Sequence, residues 1–222
     1  MKTFSLLAAV LLAGATAAVA DPFTYSFNFD SATGSPALAS QFDTGAVSFH
    51  NAMLAPSKDT DGIDIPGTEH WQIDPISDAS YPVTIENPLD YPDRGAAPSG
   101  DFALQALWQP VILSFDQTLD LTNFSVTLDN DTYGMSNLTI DFVSGATIVG
   151  QIAIDQTTPG FIATLGSISG VTGIVLASGA FYDNLSFTAT VSAVPEPSTY
   201  AALIGVAGLG WGIWRRRRQA AA

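Results

Sequence analysis

Three clusters of Asp and Asn offer oxygen ligands for a cation. Asp59, Asp61 and Asp64 place three carboxylates within six residues around Gly62. Calcium takes about six to eight oxygens from carboxylates and carbonyls, so this loop is a candidate calcium site. Asp129 and Asp131 form a second cluster, and Asp183-Asn184 a third. The spacing departs from the helix–loop–helix calcium pattern, because Gly62 comes early and no Glu closes the loop. Turn formation is the competing reading, since Asp and Asn side chains bond their own backbone. Aromatic side chains offer a second chemistry, the stacking of sugar rings. Trp71, Trp108, Tyr81, Tyr91 and Tyr133 are available. Trp71 and Tyr133 are the surface candidates, whereas Trp108 and most Phe are expected in the core.

Hydrolytic chemistry finds less support. The many carboxylates make a chance acid pair inevitable, so a glycosidase pair carries no information. A Ser-His-Asp relay would have to use His50 or His70, and no Gly-x-Ser-x-Gly elbow is present. Glu69-His70-Trp71 lacks the second His of a zinc helix. Neither a Gly-x-Gly-x-x-Gly turn nor a phosphate loop with Lys occurs. With no Cys there is no disulfide framework and no thiolate site. No catalytic residue is assigned, and the chain reads as a non-enzyme.

The elements that must position these groups are strands. Phe23, Tyr25, Phe27 and Phe29 alternate with polar residues, a period of two. Ala46 to His50, Tyr81 to Glu86, Asp101 to Trp108 and Val111 to Phe115 are further strand candidates. So are the alternating sets Phe124, Val126, Leu128 and Leu138, Ile140, Phe142. Thr147 to Ile154, Phe161 to Leu165, Val171 to Leu176 and Phe181 to Val191 complete the series. In the register of Phe102, Leu104 and Ala106, Trp108 falls on the same face. No stretch sustains a helical period. Short strands with Gly, Pro, Asn and Asp between them predict an all-β fold, an antiparallel β-sandwich or jelly roll, with a closed barrel as the alternative. The Pro-rich region Ala52 to Arg94 is expected to form long loops with one or two short strands.

The two ends have a different character. Met1-Lys2, an apolar run and Ala18-Val19-Ala20 fit a signal peptide over residues 1–20, cleaved after small residues at Ala18 and Ala20. The body then spans residues 21–193. At the other end Pro195-Glu196-Pro197 precedes an uncharged stretch of 17 residues, about 198–214. As a helix it would extend roughly 26 Å, close to a hydrocarbon core of about 30 Å. Trp211 and Trp214 sit where an interfacial aromatic belt belongs, beside the Arg215, Arg216, Arg217 and Arg218 cluster. Such a cluster stops transfer and stays cytoplasmic, so a transmembrane helix anchored in the inner membrane is expected.

This tail, residues 194–218, resembles the PEP-CTERM sorting signal of Gram-negative bacteria. Val194-Pro195-Glu196-Pro197, the following Ser198-Thr199, the Gly-rich apolar span and the Arg-rich end carry the likeness. The resemblance implies recognition by an exosortase, a membrane protease of transpeptidase type. It also implies removal of the tail near the motif and release of the body to the cell surface or exopolysaccharide matrix. Phe181-Tyr182-Asp183-Asn184-Leu185-Ser186-Phe187 is similar to the closing strand of jelly-roll bodies that carry such tails.

Charge separates the three regions. The whole chain has 21 acidic and 7 basic residues, a net charge of −14. Within residues 21–193, 20 acidic side chains face only Lys58 and Arg94, a net charge of −18. Lys2 and the four Arg belong to the ends. A body this acidic excludes nucleic acid as a partner. The expected function is that of an exported, non-enzymatic cell-surface or extracellular-matrix protein. The alternatives are a carbohydrate-binding module for extracellular polysaccharide, with calcium as a candidate ligand, and a secreted hydrolase.

Overall fold

The computed structural model describes residues 21–34, 36–91, 94–129, 138–155 and 157–192. The strands are β1 (Phe23–Phe27), β2 (Ala37–Leu38), β3 (Val47–Ala55) and β4 (His70–Ile73), followed by a short helix α1 (Pro75–Ser80). Then come β5 (Thr84–Glu86), β6 (Ala103–Ala106), β7 (Val111–Leu128), β8 (Thr139–Ser144), β9 (Thr147–Ala153), β10 (Ile162–Leu176) and β11 (Ala180–Val191). Every pairing among these strands is antiparallel. The fold of the described residues is thus all-β, as the alternation predicts.

The hydrogen-bonded order is β2-β5-β6-β11-β7-β10-β8-β9, with β1 on β11 and β3 on β7. Two long strands tie this sheet together. The sequence suggests separate strands at Val111 to Phe115 and from Phe124, but β7 runs through both. Leu119 and Leu121 are buried, which keeps the alternation alive across the polar Asp116-Gln117. In the same way Phe161 to Leu165 and Val171 to Leu176 merge into β10.

These strands bend where their register breaks. Between Val171↔Leu119 and Gly173↔Ser114, β7 spends more residues than β10. An extra residue in one strand raises local twist and bends it. Two other register breaks, between β7 and β11, fall beside Asn123 and Asn184, at φ 55° and 50°. Asn tolerates the left-handed region better than most side chains, so both bulges sit where the chain can form them.

The bend folds the sheet back on itself. Phe142 pairs with Ile174, which pairs with Leu113 in the first half of β7. Yet its ring stands 5.0 Å from Phe124 in the second half. Phe115 meets Phe187 at 5.6 Å and Phe27 meets Phe49 at 5.3 Å, again joining strands from opposite halves. One apolar cluster fills the space between, with Phe29, Ile85, Leu104, Leu113, Leu121, Phe142, Tyr182 and Phe187 buried. The first layer holds β3, the start of β7, the end of β10, β8 and β9. The second holds β1, β5, β6, β11, the end of β7 and the start of β10.

The Pro-rich region is more ordered than its composition suggests. It continues β3 to Ala55, adds β4, and forms α1 with Asp74 as N-cap, its Oδ1 accepting from the amides of Ile76 and Ser77 at 3.1 Å. Pro at the first turn of α1 costs nothing, because that amide has no helical partner.

Candidate functional site

A groove of about 630 Å³ opens on the outer face of the second layer, bordered by α1 and the β6–β7 connection. Its polar floor follows from register. Ile85 and Leu104 point into the core and pair directly, so Thr84 and Gln105, one residue away on each strand, point out. Glu86 shares that outer face with Thr84. Tyr91 reaches it from the loop after β5.

A chain of hydrogen bonds joins these four side chains. Thr84 Oγ1 donates to Glu86 Oε1 at 2.7 Å and lies 3.2 Å from Gln105 Oε1. Gln105 Nε2 donates to the Tyr91 hydroxyl at 2.6 Å, and that hydroxyl donates to Glu86 Oε2. Burial and the neighbouring Glu86 carboxylate push the Tyr91 phenol up to about 12, so it stays a donor at neutral pH. A carboxylate has about four acceptor positions, and these bonds fill one on each oxygen of Glu86.

Aromatic side chains flank the floor. Trp108 is 80 % exposed and Tyr81 is 78 % exposed, and both line the groove. The alternation of β6 places Trp108 inside, but β6 ends at Ala106. The amide of Gly179 closes on the Ala106 carbonyl at 2.7 Å, and residues 107–109 bend away before Pro110. That bend turns the indole outward. The backbone beneath both rings is tied down. Asn51 Nδ2 donates to the Tyr81 carbonyl at 2.8 Å, and Gln109 Nε2 donates to Ser77 Oγ of α1 at 2.8 Å.

Tyr81, Tyr91 and Trp108, available from sequence as aromatics, line this groove, whereas Trp71 and the described acidic candidates stand elsewhere. Trp71 lies on β4, half-buried against Ala52, Ile112, Val143 and Val175, and its indole N–H donates to Asp141 Oδ2 at 2.7 Å. Asp59 shapes its own turn, Oδ1 accepting from the amides of Asp61 and Ile63 at 2.9 Å. Asp64 sits 3.4 Å from Lys58 Nζ. Asp129 is buried, 3.5 Å from Arg94 and accepting from the Phe181 amide. Among the described residues no group of three or more His, Asp or Glu side chains is arranged to hold a metal ion. Asp183 is buried inside β11 and accepts from Ser99 Oγ at 2.6 Å. Asp131 and Tyr133 lie outside the described residues.

His50 enters an arrangement that the sequence did not reveal. Its Nδ1 is 2.7 Å from Asp78 Oδ2 and its Nε2 is 2.9 Å from Ser48 Oγ. A carboxylate only accepts, so Nδ1 carries the proton and Nε2 faces the hydroxyl. The order of atoms is that of a Ser-His-Asp relay. The amide following Ser48, however, donates to Asp43 Oδ1 at 3.0 Å. That amide is thus already paired and is not free to serve as an oxyanion donor.

Ala18, Ala20, Pro195, Glu196, Pro197 and Arg215, Arg216, Arg217 and Arg218 lie outside the described residues, as does the span predicted at 198–214. Among the described residues no helix is long and apolar enough to cross a membrane. No curated protein and no solved structure matches the chain. A family model does match at its C-terminal end, and over residues 193–218 the chain carries the PEP-CTERM protein-sorting motif.

Proposed function

We propose that this is an exported, non-enzymatic cell-surface or extracellular-matrix protein. Its precursor is held in the inner membrane by the C-terminal span and processed there by an exosortase-type membrane protease. The match of residues 193–218 to the sorting motif carries this reading. The chemistry of Pro195-Glu196-Pro197 supports it. Two prolines lock an extended segment and remove two backbone donors, which suits entry into a protease cleft. The strongly acidic body suits a soluble exported domain, because like charges keep copies apart. The non-enzymatic part is supported at Ser48, where the amide adjoining the hydrolase-like arrangement is committed to Asp43.

The test replaces Pro195, Glu196 and Pro197 with Ala in the full chain, expressed in a host that processes such tails. The expected result is uncut precursor accumulating in the membrane fraction. If the body still leaves the membrane at its normal size, the sorting reading fails.

A further inference from the structure

We propose that the groove between Tyr81 and Trp108 binds a neutral saccharide chain. This deepens the matrix reading above and rests on it for access to extracellular polysaccharide. The geometry supplies the two kinds of contact that a sugar needs. Trp108 and Tyr81 offer large apolar faces to water, at 80 % and 78 % exposure, and the C–H face of a pyranose covers such a ring. Apolar area gathered on one groove and rimmed by polar groups is a mark of a ligand site. The same groove holds polar groups that are already oriented. Glu86 is held by Thr84 and Tyr91 and keeps acceptor positions for sugar hydroxyls. Gln105 is held by Tyr91. Little side-chain freedom is left to lose on binding, which raises affinity. The volume of about 630 Å³ falls in the usual range of ligand sites, and the few convergent polar groups match their usual lining.

Charge selects the class of glycan. Among the described residues Glu86 lines the groove and no Lys or Arg does. The body as a whole is strongly acidic. A uronic-acid or sulfated chain would meet repulsion without a compensating cation, whereas a neutral chain donates hydroxyls to the carboxylate.

The experiment is affinity electrophoresis of the purified full chain in a detergent without a sugar headgroup. Gels contain hydroxyethyl cellulose, galactomannan or dextran as neutral probes, and alginate as the anionic one. Retardation is expected in at least one neutral gel and not in alginate. Trp108→Ala and Tyr81→Ala should each weaken it about tenfold, the loss of one aromatic contact. Ile148→Ala, at an exposed apolar position on β9, should leave it unchanged. Both aromatic variants should melt with the parent, since neither ring is in the core. The proposal is overturned by no retardation in any neutral gel, by binding to alginate alone, or by retardation that both aromatic variants keep. Loss of binding in Ile148→Ala equal to that in Trp108→Ala would also overturn it. The variant with Ala at positions 195–197 should bind as the parent does, so a failed groove and a failed sorting signal give different results.

Discussion

Single residues in this body act through their neighbours' backbone. Gly100 adopts φ 53°, and a Cβ there would collide with the carboxylate of Asp30. That carboxylate accepts from the amides of Asp101 and Phe102 at 2.9 and 3.2 Å, pinning the approach to β6. Gly100→Ala therefore meets both a strained backbone and a displaced acceptor. It should cost about 1–3 kcal/mol, read as a lower urea midpoint with an unchanged slope. Asp59 works in the same local manner, with Oδ1 bonded to two amides of its own turn. The acidic cluster around Gly62 was legible in the sequence as either a cation loop or a turn. What the structure shows at Asp59 is the turn.

At the scale of elements, α1 is held to β3 by Asp78. One oxygen accepts from the His50 ring, and the other accepts from the Asn51 amide at 2.6 Å. Six residues make too short a helix to persist alone, so this clamp decides where Tyr81 stands at the rim of the groove. Asp78→Ala leaves the amide of buried Asn51 without this acceptor. It should lower stability by about 1.5–3 kcal/mol, measured by chemical unfolding, and should weaken any ligand contact at Tyr81. The same atoms line up as a relay with Ser48. A fluorophosphonate probe should leave Ser48 unlabelled, because the adjoining amide is taken by Asp43. Labelling that disappears in Ser48→Ala would establish the hydrolase reading instead.

The whole molecule depends on the corner where one sheet becomes two layers. Asp120 sits at that corner on β7. Its Oδ1 accepts from the Gly170 amide of β10 at 2.9 Å and from Ser192 Oγ, just past β11, at 2.6 Å. The bond from Ser192, aided by the Gly170 amide, holds its carboxyl below the usual range. A depressed folded-state pKa contributes stability above the unfolded value of about 3.8–3.9. That contribution is lost as pH falls through the lower folded value. Asp120→Asn should cost roughly 1 kcal/mol at pH 7. Its melting temperature should also fall less steeply than the parent's between pH 4 and 2. Parallel curves for the two proteins would remove Asp120 from the acid response.

The sequence by itself determined the class of the body and the address of the chain. Alternation of apolar and polar residues is a local property of a strand, so β1, β8, β9 and β11 could be read directly. The sorting motif is a contiguous segment that matches without reference to the body. Only the tertiary structure decided how strands join, which aromatics face water, and which side chains meet. Trp108 shows why: the period of β6 places it inward, but the end of that strand at Ala106 depends on a bond from distant Gly179. The groove gathers Tyr81, Glu86, Gln105 and Trp108 from separate segments, and the relay joins β3 to α1. Such sites depend on register and on closure of the corner, which are long-range pairings that no local pattern encodes.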